Sequence, residues 1–329
     1  MKIILTGILG LIGNHLGRYL LDKGHEVIGV DDCSGGYTDY LDSRVKFYKQ
    51  NIIFGIDNVF RDEKDIDIVI HLAAYASEGL SDYIKNYNYQ NNVIASVNVI
   101  NSCVNFNIKK LIFTSSMSVY GVGNPPFDES DVLDPIDSYA LAKKLIEDEL
   151  RISYHKFGLR YSIIRPHNVI SPQYQNYADK YRNVLAIWAN NIVDNKDITV
   201  FGDGTQKRSF SDVKFMLPVV ERLLTEFDSE AFNIGSDQPI TILEAAQKMQ
   251  KIAQELGFSP NIKHLEARTE VKYAYSSHEK ARKLLGFKDE TNLDQVMRDL
   301  ILWVKDQPKP EVRYMDYEIT KNMYSYWKH

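Results

Sequence analysis

Short apolar runs alternate with amphipathic stretches along the first half of the chain. Runs suited to strands fall at residues 3–5, 27–30, 45–48, 66–72, 110–114 and 161–164. Between them apolar positions recur at helical spacing, most clearly over 88–105 and 139–156. This alternation predicts an α/β protein: a doubly wound parallel sheet with helices on both faces and ligands at the carboxyl ends of the strands. The second half is more irregular, with turn signals at Ser171-Pro172, around Gly202 to Gly204, and at Ser259-Pro260. It predicts a smaller, mixed C-terminal domain. A strand-like run at 231–235 returns the chain to the sheet once. The expected division is 1–165 for the sheet domain, with a return around 206–236, and 166–329 mainly for the second domain. Thr241 and Glu244 form a capping box opening a helix to Leu256, stopped by Gly257, and 277–285 reads as a short helix ended by Gly286. The tyrosine-rich tail after Pro310 reads as a loosely attached extension.

Composition narrows the class. The chain has 329 residues, 44% hydrophobic and 25% charged, enough for a sizeable core in an ordinary globular protein. A net charge of −5 argues against a nucleic-acid or membrane-surface binder, and Lys109-Lys110 and Lys143-Lys144 are isolated pairs. No apolar run approaches the roughly 20 residues that span a bilayer, and the first residues lack the pattern of a signal peptide. Cys33 and Cys103 are the only cysteines, which excludes a disulfide framework and fits a reduced, cytoplasmic protein. Neither they nor His71, His155 and His167 show metal-ligand spacing; these read as structural or cofactor-lining, and no metal is expected.

The first 32 residues carry more. An apolar strand runs into Gly7, Gly10 and Gly13, which open an amphipathic helix, and a second strand ends at Asp31-Asp32. Gly7 permits a tight turn, Gly10 lets the backbone approach a pyrophosphate, and Gly13 lets the helix pack close on the strand. The free amides of the helix start, at Leu11, Ile12 and Gly13, and the positive end of its dipole suit phosphates. Asp31 is placed to accept from the adenosine ribose hydroxyls and repels a 2′-phosphate, so NAD is expected over NADP. Glycines alone serve many structural turns; strand, glycines, helix, strand and acid in one unit make a Rossmann fingerprint.

Tyr139 and Lys143 stand at i and i+4 at the start of a helix. A cation beside a tyrosine favours the phenolate, as general-base work requires. Upstream, the strand at 111–114 ends in Ser115, Ser116, Met117 and Ser118, at the sheet edge where a bound nicotinamide would lie. A hydroxyl there can share a hydrogen bond with the substrate oxygen that Tyr139 deprotonates. Alone, such a tyrosine–lysine pair is more simply an exposed surface pair; behind the fingerprint it reads as catalytic. Met117 reads as packing.

Here the chain resembles the extended short-chain dehydrogenase/reductase family, in its nucleotide-sugar epimerase/dehydratase branch. The resemblance covers almost the whole length. It is carried by Gly7-x-x-Gly10-x-x-Gly13, Asp31, His71-Leu72-Ala73-Ala74, Asn91-Asn92, the run from Phe113 to Gly121, Tyr139-x-x-x-Lys143, Arg165 to Asn168, Phe201 to Thr205, Arg208 to Phe210, and Phe232 to Gly235. It implies Ser116, Tyr139 and Lys143 as the catalytic set, with Lys143 also holding the nicotinamide ribose. It implies Leu72, Ala73, Ala74, Asn91, Asn51 and Ile52 as cofactor-lining, Asn51 standing where the family usually has the Asp that reads adenine. Ser116, Ser118, Asn168, Arg208 and Arg268 would meet the nucleotide sugar. Asp212 departs from the aromatic or His common at its position. A homodimer paired through the helices at 88–105 and 139–156, and a place in polysaccharide biosynthesis, are further implications; packing within one chain explains those two helix faces equally well.

The dehydratases of this family place Asp-Glu after the catalytic hydroxyl, the decarboxylases commonly a nearby Glu, and an epimerase-reductase subgroup a Cys. Met117 and Ser118 supply none of these. What remains needs only Ser, Tyr, Lys and tightly bound NAD: 4-epimerisation of a nucleotide sugar through a transient 4-keto intermediate. A 4-ketoreductase or 4-dehydrogenase is the alternative, and a non-catalytic NAD-sensing protein is a further one. Ala274, where some epimerases carry a bulky gatekeeper, points to an N-acetylhexosamine substrate.

Overall fold

The computed structural model describes residues 1–174, 177, 179–308 and 314–327. Seven parallel strands form the central sheet: β1 Lys2–Thr6, β2 Glu26–Asp31, β3 Lys46–Lys49, β4 Ile68–His71, β5 Lys110–Thr114, β6 Arg160–Pro166 and β7 Glu230–Ile234. Their order is β7-β6-β5-β4-β1-β2-β3. Ile4 pairs with Ile28 on one side and Val69 on the other, so the direction of winding reverses at β1. A reversal of this kind leaves a crevice at the carboxyl ends of the strands. The predicted return to the sheet is β7, one residue earlier than the apolar run, in register with β6 from Glu230 opposite Ser162 to Ile234 opposite Pro166.

The strands read as unbroken apolar runs because both faces are buried. Ile3 and Leu5 enter one core with Leu16 and Leu20 of helix α1 (Leu11–Asp22), while Ile4 enters the opposite core with Ile28, Val69 and Val99. Helix α2 (Ala95–Asn105) and helix α3 (Ser138–Phe157) pack on that second face. A third core joins the helices Val184–Val193, Ile242–Glu255 and Leu293–Asp306 around Trp188, Met249 and Leu300. The capping box holds: the Thr241 hydroxyl accepts from the Glu244 amide and the Glu244 carboxylate accepts from the Thr241 amide. No helix among the described residues is long and apolar enough to cross a membrane.

Two expectations change. The helix expected over 88–105 is three pieces: Lys85–Tyr89, a wide π turn at Gln90–Ile94, and α2. The side chain of Asn92 explains the break. It turns inward, accepts from the Tyr75 amide at 2.8 Å and donates to the Tyr75 carbonyl at 3.0 Å. Apolar periodicity cannot register a buried asparagine of this kind.

The tail is also not loose. Met323 and Trp327 are buried against Leu80 and Ile84, and the Glu318 carboxylate accepts from the amides of Asn86 and Tyr87. Aromatic rings bury large areas even without secondary structure, which is why a polar-looking, turn-rich tail docks. Residues 309–313, including the Pro310 turn, lie outside the described residues.

Candidate active site

The turn after β1 requires glycine because backbone crowds it closely. Gly7 takes φ +74°, and a Cβ there would stand 2.7 Å from the Ala73 amide nitrogen. At Gly13 a Cβ would stand 2.1 Å from the Gly7 carbonyl oxygen, so α1 sits against the strand end with no room for a methyl group. Gly13→Ala is therefore expected to push the helix off the turn, lowering thermal stability by about 1–3 kcal/mol and the NAD retained on purification. Melting curves and the 260/280 nm absorbance ratio check it; an unchanged pair of readings would remove the close-packing argument. No side chain caps α1 and its first turn carries no acid, so its leading amides remain available to an anion.

Ten of the predicted cofactor residues surround one open cleft of about 760 Å³ beyond β1: Gly7, Gly10, Asp31, Asp32, Asn51, Ile52, Leu72, Ala73, Ala74 and Asn91. Leu11 and Ile12 face the core, leaving their backbone as the part that can serve a ligand. The Asp31 carboxylate accepts from the amides of Leu9 at 3.1 Å and Cys33 at 2.9 Å, which fixes its position. Burial pushes its pKa up while these amides pull it down. The Asn51 oxygen already caps a short turn by accepting from the Ile53 amide at 2.9 Å, so only its second lone pair is left for adenine. A glycine-lined floor, uncapped helix amides and an acid at the end of β2 fit a dinucleotide. The lining residues missed in the sequence include Tyr75, Tyr87, Ser34, Gly35 and Arg182. Tyr75 adjoins the His71 to Ala74 run, whereas nothing around Arg182 marks it.

The catalytic candidates meet where β5 ends and α3 begins. Asp137 caps α3 by accepting from the Ala140 amide at 2.8 Å, and the Tyr139 amide donates to Ser81 Oγ at 3.1 Å. Lys143, one turn on, donates to the Thr114 carbonyl at 2.8 Å and lies 5.7 Å from the centre of the Tyr139 ring. Ser116 Oγ accepts from both the amide and the hydroxyl of Ser118, at 3.1 and 2.9 Å. With both lone pairs engaged, the Ser116 hydrogen is what it can offer to a ligand.

Charge in this pocket is finely placed. Burial, and then the carboxyl of Glu78, push the Tyr139 phenol up; Ser116 works in the opposite direction. Burial pulls Lys143 down to about 7, against the field of Glu147. Without ligand, therefore, the phenol keeps its proton near neutral pH while Lys143 is poised between its two forms, a finding the i,i+4 pairing alone did not convey. An unfolded lysine keeps its proton to its ordinary value of 10.5, whereas the folded one releases it near 7. Between these the unfolded chain binds more protons, so stability rises with pH from about 7 to 10.5, and the burial penalty is full below 7. Urea unfolding of the cofactor-free protein at pH 6.5 and 9 is expected to show this rise. Lys143→Met is expected to flatten it; an equal rise in both proteins would assign it to other groups.

Behind the serines lies a buried network. Ser115 Oγ donates to Glu147 at 2.5 Å, Arg165 grips the same carboxylate through Nε at 3.0 Å and Nη2 at 2.6 Å, and its Nη1 donates to the Tyr120 hydroxyl at 2.8 Å. His71 stays neutral, held well down to about 3 by burial, and joins Thr6 to Ser96 as a structural tie. Among the described residues no group of His, Cys, Asp and Glu could hold a metal ion.

The substrate candidates lie in two places. Arg208 is buried and donates to Glu270 at 2.6 Å, and Arg268 stacks on Phe201, 3.7 Å from the ring centre, with Trp327 beyond. Both lie within the field of Glu78, as does Tyr139. Asn168 stands exposed just past β6 with φ +39°, and Ala274 pairs with Arg208 and packs near Met117.

The chain as a whole is similar to several known proteins. A UDP-glucuronate 4-epimerase of Thermodesulfobacterium geofontis is 28% identical over 92% of this chain and 96% of its own. A solved UDP-glucose 4-epimerase from Thermotoga maritima, with UDP-glucose, superposes with a TM-score of 0.84 at 27% identity, covering 92% of this chain and 98% of that one. A UDP-glucuronic acid 4-epimerase from Bacillus cereus, in complex with UDP-glucuronic acid and NAD, does so with 0.82 at 25% identity over 93% and 99%. The model of the NAD dependent epimerase/dehydratase family matches residues 3–235, from the first strand through the last of the sheet. The chain belongs to the NAD-dependent epimerase/dehydratase family.

Proposed function

We propose that this protein interconverts nucleotide sugars epimeric at C4, with Tyr139 as general base, Ser116 as the second hydroxyl on the reacting oxygen, and Lys143 as the group that orients and charges the site. The observation that carries it is the make-up of the pocket at the end of β5. Ser116, Tyr139 and Lys143 converge there, and the next positions, Met117 and Ser118, offer no acid for dehydration. Tyr139 takes the C4 hydroxyl proton as the C4–H bond gives up its hydride, and returns the proton once hydride has come back to the other face. Ser116 holds the C4 oxygen throughout. The glycine turn and Asp31 would hold NAD, which when bound would supply reversible hydride acceptance. Similarity to UDP-glucose and UDP-glucuronate 4-epimerases supports the reading.

Incubation with C4-epimeric pairs of UDP, dTDP, GDP and CDP sugars tests it, with chromatography of the products. Interconversion without external NAD(H) is expected. No interconversion of any pair would end the proposal, and a stoichiometric change in NADH would replace it with a dehydrogenase or ketoreductase.

Several finer parts belong to the same reading. Arg208 and Arg268 serve the diphosphate and ribose; Arg208 must then exchange Glu270 for substrate, while the buried Nε of Arg268 has no partner among the described residues. Small Ala274 beside Arg208 leaves space for an N-acetyl group, so UDP-N-acetylglucosamine is expected to turn over at least as well as UDP-glucose. A strong preference for the unacetylated sugar would count against that. The working units are the sheet with its return strand, 1–165 and 206–236, and the remainder. Exposed Leu141, Leu145 and Ile152 on α3, with Ile94 beside α2, at 42–48% exposure, support a homodimer through these helices. A native mass of one chain would overturn it. The absence of a disulfide between the two cysteines, Cys33 and Cys103, supports a reducing, cytoplasmic setting.

A further inference from the structure

The cofactor cleft has three walls set by strand order: the loop after β2 with Ser34 and Gly35, the turn after β1, and the loop after β4 with Ala73, Ala74 and Tyr75. Since β1 lies between β2 and β4, a side chain that reaches both outer loops crosses above the glycine turn. Arg182 does so. One terminal nitrogen lies 3.4 Å from where a Cβ of Gly35 would stand, and the guanidinium covers the Tyr75 ring at 4.7 Å. It is aimed from behind, because Nε donates to Asp179 at 2.5 Å while Asp179 also accepts from the amides of Tyr181 and Arg182. Among the described residues neither terminal nitrogen has a hydrogen-bond partner, and Arg182 lines the cleft. The residues lining that cleft carry two acids, Asp31 and Asp32, and a single cation, Arg182.

We propose that Arg182 clamps the pyrophosphate of the dinucleotide, from the side opposite the α1 N-terminus. The two groups divide the work. The helix amides meet the phosphates from the sheet side, and the guanidinium presents two N–H groups in the planar fork that suits phosphate oxygens. Tyr75 and Asp179 hold that fork in place before the ligand arrives, so little rotamer freedom is lost on binding. Arg182 thereby offsets the acids that read the adenosine ribose, and it ties the 179–183 segment to the cofactor.

The inference rests on the cleft taking NAD. Protein freed of nucleotide is titrated calorimetrically with NAD, ADP-ribose and adenosine, comparing wild type with Arg182→Met. The variant is expected to bind NAD and ADP-ribose about ten- to a hundredfold more weakly, the loss of one or two charge-assisted hydrogen bonds, and adenosine unchanged. Raising the salt should weaken wild-type NAD binding more than that of the variant. Unchanged adenosine affinity also shows the variant folded. Equal affinities for NAD in the two proteins, or an equal loss for all three ligands, would overturn the clamp. Failure of the wild type itself to bind NAD or ADP-ribose would instead overturn the cofactor assignment.

Discussion

Tyr139→Phe is expected to lower kcat by about 10²- to 10⁴-fold, the contribution of a positioned general base, while leaving KM within a fewfold. The change removes one oxygen and keeps the ring, which packs where β5 and α3 meet and lies 5.7 Å from Lys143 Nζ. The α3 N-cap on Asp137 and the amide bond from Tyr139 to Ser81 involve atoms the substitution does not touch. Folding and substrate binding should therefore survive, and the loss should fall on the proton transfer alone. Steady-state rates with the epimeric pair turned over by the wild type, together with a melting curve, provide the measurement. A fall of less than tenfold would take the base role from Tyr139 and leave Ser116 or a water to fill it.

The second large effect concerns stability. Arg165 and Glu147 are both almost fully buried and joined by two hydrogen bonds of 3.0 and 2.6 Å. Arg165→Met leaves the Glu147 carboxylate in the interior with Ser115 as its only hydrogen-bond partner among the described residues, at an expected cost of about 3–5 kcal/mol. That is a large share of the roughly 5–15 kcal/mol by which native proteins are stable. Adding Glu147→Gln removes the orphaned charge and keeps an acceptor for Ser115, so the double variant should regain much of the loss. Urea unfolding of both variants checks this. A single variant within about 1 kcal/mol of wild type would mean that water or another group already compensates Glu147. Because Ser115 precedes Ser116 and Glu147 follows Lys143 by one turn, the same network ties the end of β5 to α3 beside those two residues.

Much of this site was legible in the sequence because it depends on local geometry. Gly7, Gly10 and Gly13 act within a dozen residues, and Tyr139 and Lys143 lie one helical turn apart, so spacing along the chain is close to spacing in the molecule. The central strands were legible for the same reason, since burial on both faces writes itself as an apolar run. What escaped depends on contacts between distant segments. Arg182 reaches Tyr75 and Gly35 from an irregular stretch, and Glu147 meets Arg165 only once β6 is in the sheet. The π turn follows from Asn92 bonding the Tyr75 backbone, a link no periodicity contains. Trp327 docks on Leu80 because aromatic area outweighs the polar character of its neighbours. The shift of Lys143 to about 7 belongs here too, since burial is a property of the assembled core.

The return strand β7 has a consequence for how the chain is made. Until Glu230–Ile234 is available, β6 is an open edge from Ser162 to Pro166, with the backbone groups on that side unpaired. During synthesis at roughly 5–20 residues per second, the interval between β6 and β7 is on the order of four to fourteen seconds. Over that window the nascent sheet presents Ile163 and Ile164 on a strand able to pair with another chain. Slower translation between these two strands is therefore expected to raise the fraction that aggregates, while an unlinked peptide carrying the β7 sequence should suppress it by sealing the edge.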